Sequence, residues 1–131
     1  MENTDIPKIP TKRPTLCVIP MPADTNAHGD VFGGWLLAQM DLSGATEATR
    51  YAKRRVVTVG VNKMNFHEPV FVGDEVSFYT EITRVGRTSI TVHIESWARA
   101  RDSEETRKVT EGTYAFVAID ENRNPTEIEN K

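Results

Sequence analysis

Residues 31–53 (VFGGWLLAQMDLSGATEATRYAK) contain no proline and are rich in Ala, Leu, Met, Gln and Glu. Such a composition over this length predicts one long helix. Leu37, Met40, Asp41, Gly44, Ala45, Ala48 and Ala52 recur at i+3/i+4 spacing and fall on one stripe. Most of these side chains are small, so a sheet, a helix or a ligand must approach the helix closely. Trp35, Leu36 and Leu42 widen the apolar surface, so the helix is expected to be covered on several sides. The stripe at Gly44, Ala45 and Ala48 hints at room for a ligand beside it.

What surrounds this helix reads as strands. Leu16-Cys17-Val18-Ile19 is a short strand, ended by Pro20 and Pro22, with Cys17 expected in the core. Residues 22–30 are a polar, Pro- and Gly-containing loop. Val56, Val57, Val59 and Val61 mark a strand after the helix. A second covers Glu75–Val85, with Val76, Phe78, Thr80 and Ile82 on one face at period two. The turn Val85-Gly86-Arg87-Thr88 leads into a third, Ser89–Ala98. There Ile90, Val92, Ile94 and Ser96 oppose Thr91, His93, Glu95 and Trp97. Residues 99–108 are a charged connection to a last strand, Val109–Ile119. Tight turns imply antiparallel pairing. The fold class is α+β: one helix packed on one face of an antiparallel sheet. The predicted organisation is an extended Pro-rich arm over 1–14, one domain over 15–120, and a frayed polar tail over 121–131.

The charge balance narrows the function classes. The chain of 131 residues carries 16 Lys+Arg against 19 Asp+Glu, a net charge of −3. Nucleic-acid binding is disfavoured, because it needs a basic excess. A local cationic pocket for a phosphorylated ligand is still compatible. A single cysteine excludes an internal disulfide and points to a reducing compartment. Residues 1–14, with three prolines and no apolar run, do not read as a secretory leader, and no run of ~20 apolar residues occurs. A cytoplasmic protein is expected. His28, His67 and His93 have no zinc-motif spacing, and no metal site is predicted. No Gly-x-Ser-x-Gly elbow, P-loop or Gly-x-Gly-x-x-Gly occurs.

Two features carry chemistry. The loop from Asp24 through Asn26 and His28 runs into Gly33-Gly34 at the helix start. Free N–H groups and the positive end of the helix dipole gather there. Glycines let a carbonyl oxygen or an oxyanion approach them closely. Asp41 lies mid-helix on the small-residue stripe and needs either a polar cavity or a hydrogen-bond partner. A carboxylate facing a cleft suits a general base or nucleophile. Gly34 and Asp41 are separated by roughly 10 Å of helical rise. One helix cannot bring both to one carbonyl carbon. Two antiparallel helices across a two-fold axis can, so joint catalysis requires at least a dimer with shared sites. Arg84 and Arg87 flank a hydroxyl-rich turn able to hold a phosphate or to serve as a solvated hairpin end. Arg54-Arg55 lies at the helix exit.

The stretch from Met21 through Trp35, followed by Gln39-Met40-Asp41, resembles the YciA-type acyl-CoA thioesterases of the hotdog superfamily. Arg55-Val56-Val57-Thr58-Val59, Met64-Asn65-Phe66, Pro69 to Asp74 and Val85 to Ile90 match in the same order, over residues 16–120. The resemblance implies a hotdog fold, with a curved antiparallel sheet wrapped around one long helix. It implies homodimers assembled into hexamers as trimers of dimers, and hydrolysis of acyl-CoA to free CoA and a carboxylic acid. No cofactor, membrane or nucleic-acid partner is expected, and CoA enters only as part of the substrate. By the same resemblance the essential carboxylate falls on Asp41, the carbonyl-polarising N–H on Gly34, and Asn26 and Gly33 line the site. Arg87, Ser89 and Arg55 are implied contacts of the CoA nucleotide. His28 stands where similar proteins often have Asn. The alternatives are a non-catalytic acyl-CoA-binding module on the same fold, or an enoyl-thioester hydratase using Asp24 or Asp30 with His28.

Overall fold

The computed structural model describes residues 8–128. Strand β1 (Leu16–Val18) precedes a single 3-10 turn at Pro22–Asp24 and helix α1 (Gly33–Ala52). Strands β2 (Val56–Phe66), β3 (Glu75–Val85), β4 (Ser89–Arg99) and β5 (Thr106–Ala118) follow. The sheet runs β1-β3-β4-β5-β2, every neighbouring pair antiparallel.

The predicted period-two faces govern burial. Val76 and Phe78 on β3, Ile90, Val92, Ile94 and Ser96 on β4, and Tyr114 and Phe116 on β5 are all buried. They pack against the helix face formed by Leu36, Met40, Gly44, Ala48 and Ala52. Gly44 is where helix and sheet come closest. A Cβ there would lie 2.8 Å from Ile94 Cδ1 and 2.9 Å from Phe116 Cζ. The small stripe is therefore filled by the sheet, and the expected room beside Gly44 is absent.

Several sequence expectations change. The helix is covered on one side only within a single chain, and Leu42 is 58% exposed. Strand β5 begins at Thr106, because Thr106, Arg107 and Lys108 pair with Arg99, Ala98 and Trp97. The charged connection is correspondingly shorter. Trp97 faces outward yet is buried: a register shift follows Ser96, and the Lys108 ammonium sits 5.9 Å from the indole centroid. Cys17 is exposed, with Sγ 3.6 Å from Ser77 Oγ, because β1 is an edge strand and Cys17 points away from the helix. The tail is not frayed as far as Ile128. Thr126 N–H donates to Ala118 O, Ile128 N–H donates to Arg87 O, and Ile128 joins the core. Part of the predicted arm, residues 1–7, lies outside the described residues. Its remainder follows β3, with Lys12 Nζ donating to Thr80 O at 2.6 Å.

Candidate active site

The loop before α1 is built by Asn26. Its Oδ1 accepts the N–H groups of His28 (2.9 Å) and Asp30 (3.1 Å), and its own N–H donates to Asp30 O. This Asx turn closes through Gly29, whose φ of +89° suits glycine. Asn26 therefore shapes the loop with its carbonyl oxygen, which leaves its amide N–H donors for other partners. Asp24 folds back on the 3-10 turn, its Oδ2 accepting Met21 N–H. On the far side, Val31 N–H donates to Val70 O. Residues 69–74 are themselves pinned by Asp74, which is buried, accepts Phe71 N–H, and pairs with Arg107 at 2.7 Å. The Arg107 guanidinium also stacks over Phe71 and donates to Pro69 O.

These supports deliver a bare helix start. The N-cap of α1 is Phe32, and no side chain caps it. Neither Asp24, Asn26 nor Asp30 serves as the helix cap. The first N–H groups of an α-helix have no i−4 partner within it; here the first two belong to Gly33 and Gly34, while the Trp35 N–H donates to Phe32 O at 3.0 Å. A Cβ on Gly33 would touch the Phe66 ring at 3.4 Å, and one on Gly34 the Phe32 ring at 3.3 Å. Asn26, Gly33, Leu36, Phe66 and His67 line a cleft of about 340 Å³ at this point.

Asp41 has a partner that sequence reasoning did not identify. Thr58 on β2 donates its hydroxyl to Asp41 Oδ1 at 2.5 Å. The carboxylate is half-buried, so it is neither sunk in the core nor free in solvent. Beneath it, the Tyr114 hydroxyl donates to Leu37 O at 2.8 Å. Leu37 O is also the i−4 acceptor for the Asp41 N–H. Tyr114 therefore braces the turn that carries the carboxylate. Burial, and then the nearby Asp41 charge, push the Tyr114 phenol up to about 12. It stays protonated and a donor at neutral pH. The signal for Thr58 was a lone hydroxyl among the valines of β2, legible only once β2 is known to run beside the helix.

The remaining predicted residues gather elsewhere. Arg55 O accepts Ile119 N–H, Thr88 O accepts Ala118 N–H, and Ser89 pairs with Val117. Arg55, Arg87 and Ser89 thus sit together at the C-terminal end of α1. Gly33, Gly34 and Asn26 sit at its N-terminal end. A helix of 20 residues separates the two groups, a span of about 30 Å. Within one chain the structure does not bring them together. Strand β2 is one of the two edges of the sheet and leaves Val59 58% and Val61 45% exposed. Exposed apolar edges of this kind mark pairing surfaces.

Other clusters are internally satisfied. His93, Glu95 and Glu111 converge within 4.8 Å across strands, which spacing in the sequence did not reveal. The Lys108 ammonium lies 3.2 Å from Glu111 and 3.7 Å from Glu95. Burial raises the Glu111 carboxyl, but Lys108, His67 and His93 outweigh it and hold the carboxyl below its ordinary range. Among the described residues, His28 pairs with no carboxylate, so the Asp/His dyad of the hydratase alternative is not formed.

A thioesterase superfamily model matches residues 28–104. Acyl-CoA thioester hydrolase YciA of Escherichia coli is 46% identical over 113 residues, covering 84% of this chain and 86% of that protein. HI0827, a hexameric broad specificity acyl-coenzyme A thioesterase, superposes with a TM-score of 0.87 at 42% identity, over 95% of this chain and 86% of that one. Cj0915, a hexameric hotdog fold thioesterase of Campylobacter jejuni, superposes with a TM-score of 0.85 at 39% identity, over 90% of this chain and 91% of that one. The five-stranded antiparallel sheet packed on one long helix is that of the hotdog fold thioesterases it superposes on, and the chain belongs to the thioesterase superfamily.

Proposed function

We propose that the chain hydrolyses acyl-CoA thioesters to CoA and a carboxylic acid. Each site is built from the Gly34 N–H of one subunit and Asp41 of the partner subunit. The observation that carries this reading is the placement of both groups on α1. They lie too far apart for one carbonyl carbon, and β2 offers an open apolar edge beside Asp41. The carbonyl oxygen docks on the Gly34 N–H at the positive end of the helix. Asp41, aimed by Thr58, takes a proton from water as the water attacks the carbonyl carbon. The tetrahedral oxyanion rests on the N–H group. The C–S bond then breaks, and the thiolate recovers the proton from Asp41. Direct attack by Asp41 would instead form an anhydride, which water opens. Either route consumes only water, so no cofactor is invoked.

CoA phosphates meet Arg87, Ser89 and Arg55, which the antiparallel pairing of two helices carries toward the glycine end of the neighbouring subunit. The hexamers of the related enzymes make a trimer of dimers the expected assembly. A lone free thiol fits a reducing cytoplasm. The test is thiol release from acyl-CoAs of graded length, with Asp41→Asn beside the parent chain. Release abolished by Asp41→Asn is expected. Undiminished turnover would overturn the catalytic assignment, and acyl-CoA binding without thiol release would make the chain a binding module. Transfer of ¹⁸O from solvent into Asp41 after one turnover would select the anhydride route.

A further inference from the structure

The C-terminal segment is tied to the turn that carries Arg87, and nothing in the catalytic scheme uses it. Three contacts make the tie. Thr126 N–H donates to Ala118 O, Ile128 N–H donates to Arg87 O at 2.8 Å, and the Ile128 side chain is 7% exposed in the main core. Between these anchors, Glu127 points its carboxylate at the guanidinium of Arg87, with Oε1 3.9 Å from Nη1. Both side chains are largely exposed, at 78% and 64%. The pair is therefore weak enough to exchange.

We propose that Glu127 tunes affinity for the nucleotide: it acts as an internal anion that holds Arg87 until a phosphate-bearing ligand displaces it. This rests on the reading that Arg87 meets the CoA nucleotide. A clustered phosphate brings two or more negative charges and several acceptor oxygens to the guanidinium, so it outcompetes a single carboxylate. A thioester without phosphates gains nothing there. The anchored Ile128 keeps Glu127 at high effective concentration, so the competition is built into the fold rather than left to a wandering tail. Arg87 is thus what separates acyl-CoA from acyl-pantetheine, and Glu127, which only acyl-CoA must displace, offsets part of that preference. Glu127 acts through Arg87 and takes no part in bond breaking.

The test is KM and kcat for one acyl chain presented as acyl-CoA and as acyl-pantetheine, with Glu127→Gln and Arg87→Ala. Removing a competing exposed ion pair should lower KM for acyl-CoA by about 1.5- to 5-fold. The expected pattern for Glu127→Gln is that drop with kcat unchanged and KM for acyl-pantetheine unmoved. The drop should shrink as salt is raised. Arg87→Ala should raise KM for acyl-CoA alone and erase the effect of Glu127→Gln. If Arg87→Ala raises KM for acyl-CoA while Glu127→Gln changes nothing, or changes both substrates equally, the role of Glu127 is refuted. If Arg87→Ala leaves acyl-CoA untouched, the placement of the nucleotide at Arg87 is refuted instead.

Discussion

Replacing Thr58 with Val keeps the shape and the β-branching of the side chain and deletes one hydroxyl. That hydroxyl sits 2.5 Å from Asp41 Oδ1. A hydrogen bond to a charged group contributes about 1.5–3 kcal/mol. Thr58 is exposed and Asp41 half-buried, so the lower end applies. At 1.36 kcal/mol per decade, kcat should fall by roughly 10-fold. KM should move little, because the lost contact aims the carboxylate and does not hold the substrate. The assay is thiol release at saturating acyl-CoA, with a thermal melt as the folding control. Thr58→Ser restores the donor and should return most of the rate. In an Asp41→Asn background, Thr58→Val should cost almost nothing more, since two residues acting through one contact are not additive. Full activity in Thr58→Val, or a Thr58→Ser variant as slow as Thr58→Val, would refute the reasoning.

Gly44→Ala forces a Cβ within 3 Å of Ile94 and Phe116. Overpacking of this kind costs about 1–3 kcal/mol, so the melting temperature should drop by several degrees in a differential scan. Tyr114 keeps its proton up to about 12, whereas an unfolded tyrosine loses it near 10. Between those values the unfolded state binds fewer protons than the folded one, so stability must fall as pH rises through that window. Denaturant titrations from pH 9 to pH 12 should show the fall, with a shallower slope in Tyr114→Phe.

The architecture was legible because its signals are local. Helix stripe and strand alternation are properties of neighbouring residues, and they placed α1, β3 and β4 almost to the residue. What was missed depends on who pairs with whom. Cys17 looked like core from its apolar neighbours, yet β1 lies at the sheet edge and turns Cys17 outward. Residues 106–108 looked like a charged connection, but their backbone extends β5 along β4, and Lys108 covers Trp97 with an ammonium paired with Glu95 and Glu111. Ile128, alone among polar residues, gave no periodicity, although the core takes it in. The site divided in the same way. The Asp41 carboxylate and the Gly33-Gly34 helix start stand out by composition and position. Thr58 acquires meaning only when β2 is laid beside the helix.

The central claim is that one subunit supplies the oxyanion donor and its partner the carboxylate. Proline is tolerated in the first turn of a helix and has no N–H, so Gly34→Pro deletes the donor while Asp41→Asn disables the base. Each variant alone should be inactive. Co-refolded in equal amounts, half of the dimers are mixed, and each mixed dimer carries one intact site and one doubly broken site. The account predicts recovery of about a quarter of the parent turnover. A mixture as inactive as either variant alone, with mixed dimers shown to be present, would contradict it.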